Sequence, residues 1–490
     1  MAITMTKLMN MSPTMSSSSS SSSLTSTPAP APTVLPVRTI PGSYGWPLLG
    51  PISDRLDYFW FQGPETFFRK RIEKYKSTVF RTNMPPTFPL FLNVNPNVIA
   101  VLDCKSFSHL FDMDLVEKSN VLVGDFMPSV KYTGDIRVCA YLDTSEEHHT
   151  KVKNFALDTL KRSSKVWVSE FLANLEVMWN TLEENISSSG SASYLVPLQK
   201  CLFNFLTKSI IGADPAKSQK ISESGYLMID KWLAFQLLPT LNISYLQPLP
   251  EIFLHSFTYP FLLVKGDYEA LYEFVEKEGQ EMVQRGQTEF GLTKQETIHN
   301  LLFILGFNAY GGFSIFFQSL ISTIGSDTEL QGKLRQEVKE KLGSTAPSYE
   351  SVKNLDLVWS VVYETLRLNP PVPLQYARAR KDFQLNSHDS IFEVKKGELL
   401  CGYQTLVMRD PQVFNDPENF VSDRFMKETG LLNYLYWSNG PQTGSPAESN
   451  KQCAAKDYVV LTAVLFVAYV FQRYNSFTYS SSAITAVEKA

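Results

Sequence analysis

One signature limits the architecture of this chain more than any other. Glu364-Thr-Leu-Arg367 lies in the apolar run Ser360–Leu368, is followed by Asp416-Pro-Glu-Asn-Phe420 and Asp423-Arg424-Phe425, and precedes a single cysteine near the C-terminus, Cys453. Glu364 and Arg367 are three residues apart, so a helix places them on one face. Their neighbours are apolar, which predicts burial, and a buried ion pair needs further polar partners. Arg424 is the natural third member. Cys453 has a different setting. A lone cysteine is usually a small buried hydrophobe, but Lys451 and Lys456 flank this one and a helix is expected to begin just after it. Positive charge and a helix N-terminus both favour the thiolate, the form that binds metal.

The totals narrow the alternatives. A chain of 490 residues with 44% hydrophobic and 13% aromatic residues can build a large core and an apolar pocket. A net charge of −4 leaves no nucleic-acid footprint. The cysteines Cys104, Cys139, Cys201, Cys401 and Cys453 are scattered and odd in number, which argues for a reducing compartment and against a disulfide framework. No run of 18 apolar residues occurs, so no membrane-spanning helix is expected and the N-terminus shows no anchor. Tyr458–Phe471, the most hydrophobic run, reads as a buried helix.

Residues 1–33 read as a disordered import segment. They contain the serine run Ser16–Ser23, only Lys7 as a basic residue, and no acid occurs before Asp54. Ser-rich, acid-poor composition suits a plastid transit peptide. Residues 34–490 are expected to form one catalytic domain. The Pro- and Gly-rich stretch Leu35–Gly50 should be extended and broken by turns. Arg81–Val101 reads as β-rich, because Asn83-Met-Pro-Pro-Thr-Phe-Pro-Leu-Phe91 cannot be helical. Residues 105–210 and 220–345 carry mostly helical periodicity, and 376–408 return to short strands with a turn at Lys395-Lys-Gly397.

The segment Glu296–Phe316 should be a long helix. Its centre holds Asn308, where no Asp or Glu followed by Thr or Ser occurs. An amide donates and accepts hydrogen bonds but does not titrate. Gly311-Gly312 costs roughly 1 kcal/mol per residue in a helix interior, so close approach of a substrate or cofactor is expected there.

Asn300-Leu-Leu-Phe303, Phe307-Asn-Ala-Tyr-Gly-Gly312, Asn83-Met-Pro-Pro86 and Asn450-Lys-Gln-Cys-Ala-Ala-Lys-Asp457 together resemble the plant allene oxide synthase/hydroperoxide lyase clan of the cytochrome P-450 superfamily, from about Leu35 to the C-terminus. Gly440 and Cys453 are thirteen residues apart, where ordinary members have four; the difference, 13 − 4 = 9, is the clan's haem-loop insertion. The resemblance implies a mainly α haem–thiolate fold with a smaller β region and haem b on Cys453. Lys118, His149, Lys153 and Lys451 then match haem-propionate contacts, and Glu364, Arg367 and Arg424 a structural clamp. Asn308 matches the asparagine that binds the hydroperoxide. The implied partner is a fatty-acid hydroperoxide that already carries both oxygens, so no reductase is needed. Peripheral contact with plastid membranes fits, and oligomeric state is left open.

Leu122 stands where allene oxide synthases tend to have Phe, and Ala309-Tyr-Gly-Gly-Phe-Ser314 departs from their Ser-Trp-Gly-Gly-Met-Lys. Both departures resemble the 13-hydroperoxide lyase branch, which yields a six-carbon aldehyde and a twelve-carbon oxo acid through a hemiacetal. Allene oxide synthase or divinyl ether synthase is the alternative within the clan. An NADPH-dependent haem monooxygenase is the alternative outside it, and the missing acid–alcohol pair opposes that reading. A non-catalytic haem- or lipid-binding protein is a third.

Overall fold

The computed structural model describes residues 35–84, 94–240 and 255–490. Residues 1–33, expected to be an import segment, and most of the Pro-rich stretch after Asn83 lie outside them. The architecture is mainly α with small sheets, as expected. Strands β1 (Val79–Asn83), β2 (Asn97–Val101), β3 (Val116–Glu117), β4 (Leu374–Ala379) and β5 (Leu399–Tyr403) make a five-stranded sheet in the order β1-β2-β5-β4-β3. Only the β2–β5 pairing is parallel. An aromatic cluster with Tyr58, Phe59, Phe67, Phe68 and Phe80 packs on this sheet.

A second and larger core holds the helices. Those that bear on function are α1 (Glu147–Ser163), α2 (Trp167–Ser189), α3 (Gln219–Leu237), α4 (Lys294–Phe303), α5 (Gly311–Gly325), α6 (Asp356–Leu368) and α7 (Lys456–Arg473). Helix α4 begins with a capping box: Thr293 Oγ1 accepts from the Glu296 N–H and the Glu296 carboxylate from the Thr293 N–H. Helix α7 contains the Tyr458–Phe471 run and is buried over most of its circumference, as an all-round apolar helix must be.

Four features differ from the sequence-based expectation. Residues 112–146 are largely irregular, broken by Gly124, Pro128 and Gly134, of which both glycines take positive φ. The long helix is interrupted by a π segment, Ile304–Tyr310, between α4 and α5. The continuous run Lys294–Gly325 is, among the described residues, a 32-residue helix long and apolar enough to cross a membrane, yet 72% of its apolar window is buried inside the protein, so it is a core helix. The chain closes in a hairpin, β6 (Tyr474–Ser480) with β7 (Ala483–Lys489), whose two-residue turn Ser481-Ser482 has positive φ at both positions. Serine is a poor signal for such a turn, where Asn-Gly is usual.

Candidate functional site

The cysteine loop is built from its ends inward. The Cys453 N–H donates to the Ser438 carbonyl at 2.9 Å, and the Cys453 carbonyl accepts from the Lys456 N–H at 3.1 Å, where α7 begins. The extra residues after Gly440 are pinned by glutamines the sequence did not flag. Gln452 Nε2 donates to the Pro441 carbonyl at 2.7 Å and Ser438 Oγ at 3.2 Å, Gln442 Oε1 accepts from the Trp437 indole at 2.8 Å, and the Gln442 carbonyl accepts from Lys456 Nζ at 2.7 Å. A loop secured this way tolerates the insertion, since closure entropy grows only slowly with length.

Burial pushes the Cys453 thiol up; the Ala455 N–H and the charges of Lys153 and Lys456 pull the other way. The flanking Lys451 is held by main-chain carbonyls. Its Nζ turns away and donates to the carbonyls of Cys139 (2.8 Å), Ala140 (3.3 Å) and Leu142 (2.7 Å). Lys153, one turn along α1 from His149, takes its place beside the thiol.

The four basic residues are brought together. His149 and Lys153 are buried on one face of α1, and Lys118 is buried just after β3. Lys153 Nζ donates to the Gln452 carbonyl, while Lys118 Nζ donates to Asn439 Oδ1 and lies over the Phe111 ring. Asn439 in turn donates to the Lys451 carbonyl at 2.8 Å. Among the described residues no carboxylate pairs with Lys118, Lys153 or Lys451, and neither ring nitrogen of His149 has a partner. Burial, with Lys451 nearby, lowers Lys118 to about 7; burial lowers Lys451 to about 8 and depresses Lys153. Burial and the Lys451 and Lys153 charges bring His149 to about 4. Buried cations without a paired carboxylate, with two orphan ring nitrogens and a thiol alongside, fit a ligand that supplies carboxylates and a metal able to take a thiolate. Haem is such a ligand.

The interrupted helix packs against the loop that holds Lys451, with Asn300 Oδ1 accepting from the Cys139 N–H at 3.2 Å. Asn308 lies in the π segment with its side chain exposed, and its amide hydrogen-bonds to no described residue. The segment Ile304–Tyr310 holds no acid and no Ser or Thr. Leu122 lies four residues beyond Lys118 in the loop after β3, part-buried against the larger core and bridged to Gly124.

The clamp forms as the sequence predicts. The Glu364 carboxylate accepts from Arg367 Nε and Nη2, each at 2.8 Å, from Arg424 Nε at 3.1 Å, and from the Val421 N–H at 3.0 Å. The remaining guanidinium N–H groups reach carbonyls: Arg367 those of Met408, Pro417 and Asn419, Arg424 those of Asn415, Asp416 and Asn419. All three side chains are buried.

Comparison with known proteins agrees with this geometry. The family model for cytochrome P450 matches residues 109–442. A chloroplastic fatty acid hydroperoxide lyase of Solanum lycopersicum is 65% identical over 93% of this chain and 97% of its own length. A chloroplastic linolenate hydroperoxide lyase of Arabidopsis thaliana is 60% identical over 93% and 94%. More distant is a chloroplastic allene oxide synthase of Linum usitatissimum, 44% identical over 91% of this chain and 83% of its own.

Proposed function

The chain belongs to the cytochrome P450 family, and within it we propose that the protein is a fatty-acid hydroperoxide lyase that converts 13-hydroperoxides to a six-carbon aldehyde and a twelve-carbon oxo acid in oxylipin biosynthesis. The observation that carries this reading is the non-titrating Asn308 in a π segment that holds no acid and no Ser or Thr. Such a helix can orient a peroxide but offers no carboxylate for a proton relay. The greater identity to the lyases than to the allene oxide synthase supports the branch.

Cys453 would ligate iron as the thiolate, and Lys118, His149, Lys153 and Lys451 would hold the propionates of haem b by charge-assisted hydrogen bonds. When bound, thiolate-ligated haem supplies O–O bond cleavage. Asn308 holds the hydroperoxide through its amide without exchanging a proton. Leu122 offers no π face to an electron-deficient carbon of the substrate, which leaves C–C opening toward the hemiacetal as the favoured course. The Glu364–Arg367–Arg424 clamp serves the fold. Residues 34–490 act as one catalytic domain, residues 1–33 direct import into the plastid, where the protein meets membrane lipid peripherally, and no reductase takes part.

The test is incubation of purified protein with 13-hydroperoxy-linolenic acid, without NADPH or reductase, and gas chromatography–mass spectrometry at short times. The six-carbon aldehyde with its twelve-carbon partner is expected. Ketols and cyclopentenone would make it an allene oxide synthase, a stable divinyl ether a divinyl ether synthase, and turnover that requires NADPH a monooxygenase. Leu122→Phe is expected to raise the ketol share; an unchanged aldehyde share removes Leu122 from branch choice.

A further inference from the structure

The π segment is gripped from behind by α3. A Cβ added at Gly306 would stand 2.7 Å from Ile229 Cγ1 and 2.9 Å from Trp232 Cζ3, and one added at Gly311 would stand 2.7 Å from Leu233 Cδ2. One at Gly312 would meet nothing within 4 Å. The double glycine therefore divides: Gly311 is a notch for α3 and Gly312 is not. Trp232 is itself fixed. It is fully buried, donates its indole N–H to the Tyr132 carbonyl at 2.9 Å, and stacks on Tyr268 at 5.6 Å.

The spacing explains the helix type. Ile229 and Leu233 are four apart, neighbours on one face of α3. Their notches, Gly306 and Gly311, are five apart. In an α-helix five residues turn through about 500°, which leaves the second notch about 140° round the axis from the first. With i→i+5 bonding the fifth residue returns to the same side, and the Gly311 N–H does donate to the Gly306 carbonyl. Both α3 side chains seat together only on a π turn, and that turn carries Asn308.

We propose that Ile229 and Leu233 are positioning residues for the lyase reaction: seated in the Gly306 and Gly311 notches, they hold the π register and thereby set the direction in which Asn308 presents its amide. This rests on the reading of Asn308 as the hydroperoxide-binding residue. Without the wedge at Leu233, the helix can rewind toward α and carry Asn308 round the axis.

The test uses haem-loaded enzyme with an intact thiolate absorption band and 13-hydroperoxy-linolenic acid. Leu233→Ala and Gly311→Ala are each expected to lower kcat about tenfold to a hundredfold with little change in KM, the scale of a misplaced reacting group. Leu233→Met, which keeps the volume, should retain wild-type kcat. The pair Gly311→Ala with Leu233→Ala, in which the new methyl enters the vacated space, should recover most of the loss. In an Asn308→Ala background Leu233→Ala should have no further effect, because the two act through one group. Additive losses in either pair overturn the positioning role while leaving the function of Asn308 intact. Wild-type turnover in Asn308→Ala overturns both.

Discussion

Two buried charged clusters in this protein are opposites. In the clamp, one carboxylate faces two guanidiniums, and Glu364, Arg367 and Arg424 exhaust their hydrogen-bonding capacity on one another and on carbonyls from 408 to 419. In the basic cluster, Lys118, Lys153 and Lys451 meet only neutral oxygens, and His149 meets none. A satisfied buried network holds chain segments in place. An unsatisfied one is a cost to the protein alone, offset when a ligand brings the missing charge. The first cluster has the signature of a folding network and the second that of a binding site, although both consist of ionisable side chains removed from water.

The sharpest way to break this division is Glu364→Gln. It keeps the shape but leaves two guanidiniums buried without a carboxylate, at a cost of about 3–5 kcal/mol. The expected result is a large fall in melting temperature or loss of soluble protein, with or without haem. Lys451→Met should separate the two. It removes an uncompensated charge but also the donor to three carbonyls, so the melting temperature of the haem-free protein should fall far less than in Glu364→Gln, while haem escapes about tenfold to a hundredfold faster, the worth of one charge-assisted hydrogen bond. Haem transfer to apomyoglobin measures the second quantity. If Lys451→Met instead destabilises the haem-free protein as much as Glu364→Gln does, the two clusters are not different in kind.

The clamp was fully legible in the sequence, and the reason is local. Glu364 and Arg367 are fixed by helical spacing in an apolar run, and Arg424 follows in a compact segment with few other basic residues. The basic cluster was legible only through resemblance, because Lys118, His149 and Lys451 come from three distant segments and no periodicity joins them. Even then the contacts differed: Lys153, not Lys451, reaches the cysteine, since the carbonyls of residues 139–142 capture Lys451. The π segment left no ordinary sequence signal. Its cause lies in α3, nearly eighty positions earlier, and in a five-residue glycine spacing that looks like mere helix weakness until its partners are seen. The closing hairpin was missed because Ser481-Ser482 imitates a loop.

The smallest effect is the most diagnostic. In the haem-free protein burial holds Lys118 at about 7 against an ordinary 10.5, and His149 at about 4 against 6.5. A base whose folded pKa lies below its unfolded one binds fewer protons when folded, so stability rises with pH across the gap. For His149 that window runs from about 4 to 6.5, and for Lys118 from about 7 to 10.5. Melting temperature of the haem-free protein should therefore climb between pH 7 and 9, and Lys118→Met should remove the lower part of that climb without touching the His149 window, leaving the share of Lys451 that begins at about 8. Bound propionates would restore the lysine charge and remove the rise in the loaded protein. A rise that survives both Lys118→Met and haem loading would place its source elsewhere and leave the basic cluster without its ligand-binding signature.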